Sequence, residues 1–142
     1  MVVMSETTAP ASVPRAVRRA AGVLAGLVAF GVLLQSVFAG GFLSSVYGGS
    51  GMAGALTWHG LGANATFGLL AVEVVLVLAT ALRRDRAHLG SGVLLGVLLT
   101  GVIGLGYLGG ASVAVHVPLG VLTFGVALWH AVVASGLALQ RR

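Results

Sequence analysis

The chain has 142 residues, of which 58% are hydrophobic and only 8% charged, against roughly 25% charged in an average soluble domain. Its net charge of +5 comes from Arg alone on the basic side, and no Asp, Glu, Lys or Arg occurs from Ala20 to Val72 or from Ala87 to Gln140. A soluble fold of this length coats itself with polar side chains, so a soluble enzyme and a nucleic-acid binder are excluded, lipid is the solvent for most of the chain, and the absence of Cys removes disulfides, thiolate ligands and a c-type haem attachment motif.

Residues 1–14 are polar, carry Pro10 and Pro14, and read as a disordered cytoplasmic tail ahead of a four-helix transmembrane domain over 15–142. A helical span needs about 20 apolar residues, and stretches at about 16–39, 57–82, 89–108 and 112–139 supply them. The first follows Arg15, Arg18 and Arg19, but it is longer than the 7–15 residues of a signal-peptide core. It also holds a Gly22-x-x-x-Gly26 packing pair, so it reads as a retained helix. Residues 40–56 contain Gly40, Gly41, Gly48, Gly49, Gly51 and Gly54, as in a flexible external loop or one folded over the bundle mouth.

The second span carries His59 and Glu73 and ends before the run Arg83-Arg84-Asp85-Arg86. His88, just after that run, reads as a solvated or headgroup-contacting side chain. The third span places Gly92, Gly96, Thr100 and Gly104 on one stripe, a small-xxx-small pattern for close helix packing. The fourth carries His116 and His130 and leads to Arg141 and Arg142. The Arg clusters precede the first span, separate the second from the third and follow the fourth. The positive-inside rule therefore puts both termini and the second connection in the cytoplasm. Tyr47, Trp58 and Tyr107 then fall near the outer interface. Short connections make the fold class an all-α integral membrane protein, an up-down-up-down four-helix bundle. Arg-only, Ala/Gly/Val-rich usage fits a high-GC genome, and the expected location is the plasma membrane of a bacterium or archaeon.

Ionisable groups inside a span are costly and mark function. The second and fourth spans run in the same direction, so His59 and His116 share a depth near the outer face. As diagonal neighbours in a square bundle, their helices lie roughly 11–14 Å apart, a distance across which two imidazoles reach one iron. That is the arrangement of a bis-His haem b site; the alternative is a hydrogen-bonded, capping histidine at the interface on each helix. Small residues beside each histidine, Gly62 and Ala63 on one helix and Gly120 on the other, suit a flat macrocycle or plain helix packing. Zinc fits less well, because a closed site wants four ligands. Fourteen residues after each histidine stand Glu73 and His130, close to four turns and roughly 21 Å along the axis. With Glu where a fourth His would stand, a second bis-His haem is not expected. A Glu73–His130 hydrogen-bonded pair is, because a carboxylate in lipid needs a partner. It is either a stabilising pair or a proton-accepting site near a quinone. Trp129 beside His130 reads as an aromatic wall or ordinary packing.

The segments Trp58-His59-Gly60 and His116-Val117-Pro118-Leu119-Gly120 on the second and fourth of four helices resemble one four-helix half of haem A synthase, and small four-helix membrane b-type cytochromes. The resemblance covers all four spans in layout. It implies a four-helix fold with haem ligands at His59 and His116. The chain departs from the enzyme in holding one half only, with no Glu a few residues before His59 and no Arg beside it. It is also similar to small four-helix bacterial membrane proteins with a His in helix 2 and a His-x-Pro in helix 4. Three function classes follow. The first is a haem b-binding protein passing electrons between the quinone pool and an outer redox partner, or handling haem. The second is a structural or accessory subunit of a membrane complex, and the third a proton or small-solute pathway.

Overall fold

A computed structural model describes residues 13–108 and 113–136. Four helices account for nearly all of them: α1 (Arg15–Val46), α2 (Ala55–Ala79), α3 (Arg86–Leu108) and α4 (Val113–Ala134), with a single 3-10 turn, Ala81–Arg84, before α3. α1 packs on α2 and α4, and α3 packs on the same two, so α2 and α4 face each other diagonally across a square bundle. The four-helix bundle expected from the spans is the observed fold. Of the expected tail, only Val13 and Pro14 fall within the described residues, as does none of the 109–111 connection.

The ends of the helices follow from local chemistry. The Pro14 carbonyl accepts from the Val17 and Arg18 N–H groups and starts α1. The Asp85 carboxylate accepts from the His88 N–H at 3.1 Å and caps α3. Thr80 returns its hydroxyl to the Leu76 carbonyl at 2.9 Å, leaves the helix in an extended conformation and so ends α2 at Ala79, three residues short of the expected 82. α3 begins at Arg86 instead of 89, one turn deeper into the charged run, because the Asp85 cap precedes it. α4 stops at Ala134, where Gly136 takes a positive φ of 73°; the expected continuation over 137–139 lies outside the described residues.

The largest departure from expectation is α1. The span expected to end at 39 continues to Val46, so the first part of the supposed glycine loop, residues 40–46, is helix. Gly40 and Gly41 are tolerated because apolar Phe42 and Leu43 continue the helix beyond them, and Ser45 closes onto the Phe42 carbonyl at 2.6 Å. The true connection is residues 47–54. It turns at Gly48 and Gly54, whose positive φ values of 81° and 71° suit glycine. A side chain at Gly41 would press on Met52, so this connection folds back against the end of α1.

Each helix is long and apolar enough to cross a membrane, yet only 22–28% of its most apolar window is buried inside the bundle. The rest is an outward sheath that includes Val23, Phe30, Val75, Val97, Val121 and Leu122. A surface this apolar is stable only against lipid, so the chain is a multi-pass membrane protein. Tyr47, Trp58 and Tyr107 are exposed at the Arg-poor end of the bundle, the position of an aromatic belt. The core between the two ends is one layer of Val28, Ala29, Val32, Leu70, Leu95, Leu99 and Ala127.

Candidate functional site

α2 and α4 repeat one pattern at seven-residue steps: His59, Thr66, Glu73 on one and His116, Thr123, His130 on the other. Seven residues are about two turns with a drift of roughly 20°, so each trio follows one stripe into the bundle. The two stripes meet at the Arg-poor end, around a cavity, and again at the Arg-rich end, around a buried polar cluster.

At the Arg-poor end the His59 and His116 rings stand with centroids 6.0 Å apart and planes inclined by 61°. His59 Nδ1 donates to the Gln35 carbonyl of α1 at 3.2 Å. A carbonyl only accepts, so Nδ1 carries the hydrogen and Nε2 keeps a lone pair, the tautomer of a metal-ligating histidine. Among the described residues, His116 Nδ1 is buried with no hydrogen-bond partner, and so is Gln35 Oε1. The histidines border a cavity of about 540 Å³ that takes residues from all four helices, among them Val32, Ala63, Ile103, Tyr107 and Gly120. Thr66 and Thr123, both buried, line it as well, with hydroxyls bonded back to Gly62 and Leu119.

Of the expected contacts, His59, His116 and Gly120 line this cavity and Gly62 does not. A side chain at Gly62 would overlap the Gln35 amide, so this glycine serves the close approach of α1 and α2. A side chain at Gly106 on α3 would meet the His116 ring at an ordinary contact distance of 3.5 Å. The group implied here is a bis-imidazole haem, and the residues fit it. The cavity is of the 300–1,000 Å³ class used by cofactors.

At the Arg-rich end Glu73 and His130 meet as expected, Nε2 lying 3.1 Å from each carboxylate oxygen. They are joined by His88, whose Nε2 is 2.9 Å from Glu73 Oε1. The expectation that His88 is solvated is therefore corrected: it is 2% exposed. Because α3 starts at Arg86, His88 belongs to its first turn and heads the inward stripe His88, Ser91, Gly92, Leu95, Leu99. Ser91 Oγ lies 2.8 Å from His130 Nδ1 and donates to the His88 carbonyl at 3.0 Å. Glu73, His88, Ser91 and His130 are all buried, so the carboxylate has exchanged water for two imidazoles. Trp129 is half exposed on the outer surface and takes no part.

Sequence reasoning missed His88, Ser91 and Gln35. The 88/91/92/95/99 spacing was the available signal for the first two. Gln35 acts through its backbone carbonyl and leaves no signal. Comparison of the chain with protein-family models, with curated proteins and with solved structures finds no match.

Proposed function

We propose that the chain is a haem b-binding protein of a bacterial or archaeal plasma membrane, with His59 and His116 as axial ligands of one haem near the outer face, serving electron transfer or haem handling. The observation that carries this reading is the pair of facing imidazoles, 6.0 Å between centroids, at a cofactor-sized apolar cavity. Haem bound there supplies a one-electron iron couple. The Gln35 carbonyl fixes the His59 tautomer, the packed helices exclude water, and Asn64 and Tyr107, 3.4 Å apart, form a polar rim on the way out. A quinone is the expected membrane-side electron donor or acceptor, with a redox protein outside.

The test is a reduced-minus-oxidised absorption spectrum of protein purified after expression with ample haem. The wild type is expected to show a low-spin bis-imidazole spectrum. His59→Ala and His116→Ala each lose it, because no Met or Cys stands near to replace the missing ligand. His88→Ala keeps it, since His88 belongs to the opposite end. A wild type that purifies colourless with its helices intact overturns the reading.

A further inference from the structure

We propose that Glu73, His88 and His130 bind one divalent transition-metal ion of the zinc or iron(II) class, in a site separate from the outer cavity. Ser91 has one hydroxyl hydrogen, and the His88 carbonyl at 3.0 Å takes it. The hydrogen between Ser91 Oγ and His130 Nδ1, 2.8 Å apart, then belongs to Nδ1. In neutral His130 the Nε2 lone pair therefore points at both lone-pair-bearing oxygens of Glu73, each 3.1 Å away. A cation must stand between them, either a proton or a metal ion. His88 Nε2 points at the same carboxylate, so two ring nitrogens and a carboxylate oxygen converge, all within 4.8 Å of one another.

The cluster leaves no room for a substrate: the void of about 10 Å³ beside it is bounded by Val74, Val77 and Leu89 as well as by Glu73, His88, Gly92 and His130, and its walls are apolar. Two features favour an ion. The Nδ1–H of His130 is anchored by Ser91, the outer contact that orients a metal-ligating histidine. A side chain at Gly92 would press on His130 Cε1 at 3.3 Å, so this glycine makes room for the ring. The nitrogen–oxygen contacts of 2.9–3.1 Å open by a few tenths of an ångström, and the two ring nitrogens, within 4.8 Å of each other, draw together, to become the edges of a tetrahedron with bonds of about 2.0–2.1 Å. Two imidazoles and a carboxylate suit borderline ions, whereas calcium and magnesium want all-oxygen shells and copper(I) wants sulfur. Glu73 gives one negative charge inside the cluster, and the run Arg83-Arg84-Asp85-Arg86 stands just before His88 in the chain. The second Glu73 oxygen, also 3.1 Å from His130 Nε2, takes the fourth position that a closed site wants, and the ion ties α2, α3 and α4 together. On binding it displaces the proton that otherwise holds the cluster.

The experiment titrates Co²⁺ into protein in detergent, carrying no polyhistidine tag. Wild type is expected to bind one equivalent with visible d–d bands of a four- or five-coordinate ion, to melt at higher temperature and to release about one proton per ion. Zn²⁺ is expected to bleach the bands. Glu73→Gln abolishes them. Ser91→Ala, which leaves all three ligands in place, weakens binding by about 10–100-fold. Gly92→Ala, which displaces the His130 ring, weakens it too. Folded wild type with no d–d bands at millimolar Co²⁺ overturns the proposal, as do bands that survive unchanged in Glu73→Gln. Should that variant fail to fold by circular dichroism, Ser91→Ala and Gly92→Ala both binding as tightly as wild type overturn it instead.

Discussion

Glu73 sits between two imidazoles, and this redundancy sets what single substitutions do. His88→Leu leaves His130 on the carboxylate, and His130→Leu leaves His88. Each single change is expected to be tolerated better than both together. The double variant strands a buried carboxylate, a loss on the order of 3–5 kcal/mol. Adding Glu73→Leu removes the stranded charge and should recover most of it. Unfolding in detergent across the full set measures this coupling; additive losses would mean that the three groups act independently. Half of the cluster was legible from spacing, since fourteen residues carry His59 to Glu73 and His116 to His130 alike. His88 was hidden because three Arg and an Asp surround it in sequence. Charge near a residue says nothing about which face of the first helical turn it occupies, and the Asp85 cap decides that.

At the scale of the helices, glycine spacing signals packing only where another element lies opposite. Gly22 of the expected pair rests on the Ser135 backbone, and Gly92 and Gly96 of the expected stripe face His130 and Leu70. Gly26 and Gly104, equally regular in sequence, have nothing within 4 Å. Gly31, in neither pattern, faces Thr66 most tightly, and Thr66 cannot turn away without losing its 2.8 Å bond to Gly62. Gly31→Ala is therefore expected to destabilise by about 1–3 kcal/mol, whereas Gly26→Ala and Gly104→Ala should be neutral or stabilising by up to about 1 kcal/mol through helix propensity. Melting temperatures of the three variants separate the cases; equal losses would mean that spacing alone governs packing. The boundaries of α1 were the least legible. Its 32 residues make a rod of roughly 48 Å against a hydrocarbon thickness of about 30 Å. Hydropathy marks where lipid ends, and a helix is free to run on past that point.

For the molecule as a whole, hydropathy sufficed to give the number of spans and their antiparallel order, because in lipid only a helix satisfies its own backbone. Its orientation rests on the Arg distribution, with clusters at 15–19, 83–86 and 141–142 and none in the connection after α1. A reporter fused to the C-terminus is expected to be active only where it requires the cytoplasm. Placing three Arg within residues 47–54 should weaken that preference, whereas activity confined to the outer face in the wild type reverses the orientation. The cavity at the Arg-poor end was legible only as a pair of histidines. Its walls come from all four helices, which no single segment records.

The core layer of Val28, Val32, Leu70, Leu95, Leu99 and Ala127 lies between the cavity and the Glu73 cluster, and these six side chains offer no hydrogen-bond donor or acceptor. Protons move along continuous chains of such groups, so vesicles holding the protein are expected to keep an imposed pH gradient; rapid collapse of the gradient would mean that the layer is bridged. The two ends still sense one another electrostatically. A unit charge gained at Glu73 acts on the His59 depth, roughly 21 Å away, with about 0.8 kcal/mol at an effective dielectric of about 20. For a one-electron couple that is a few tens of millivolts. Occupancy of the inner cluster would trim the potential of a redox group in the outer cavity without any atom passing between them.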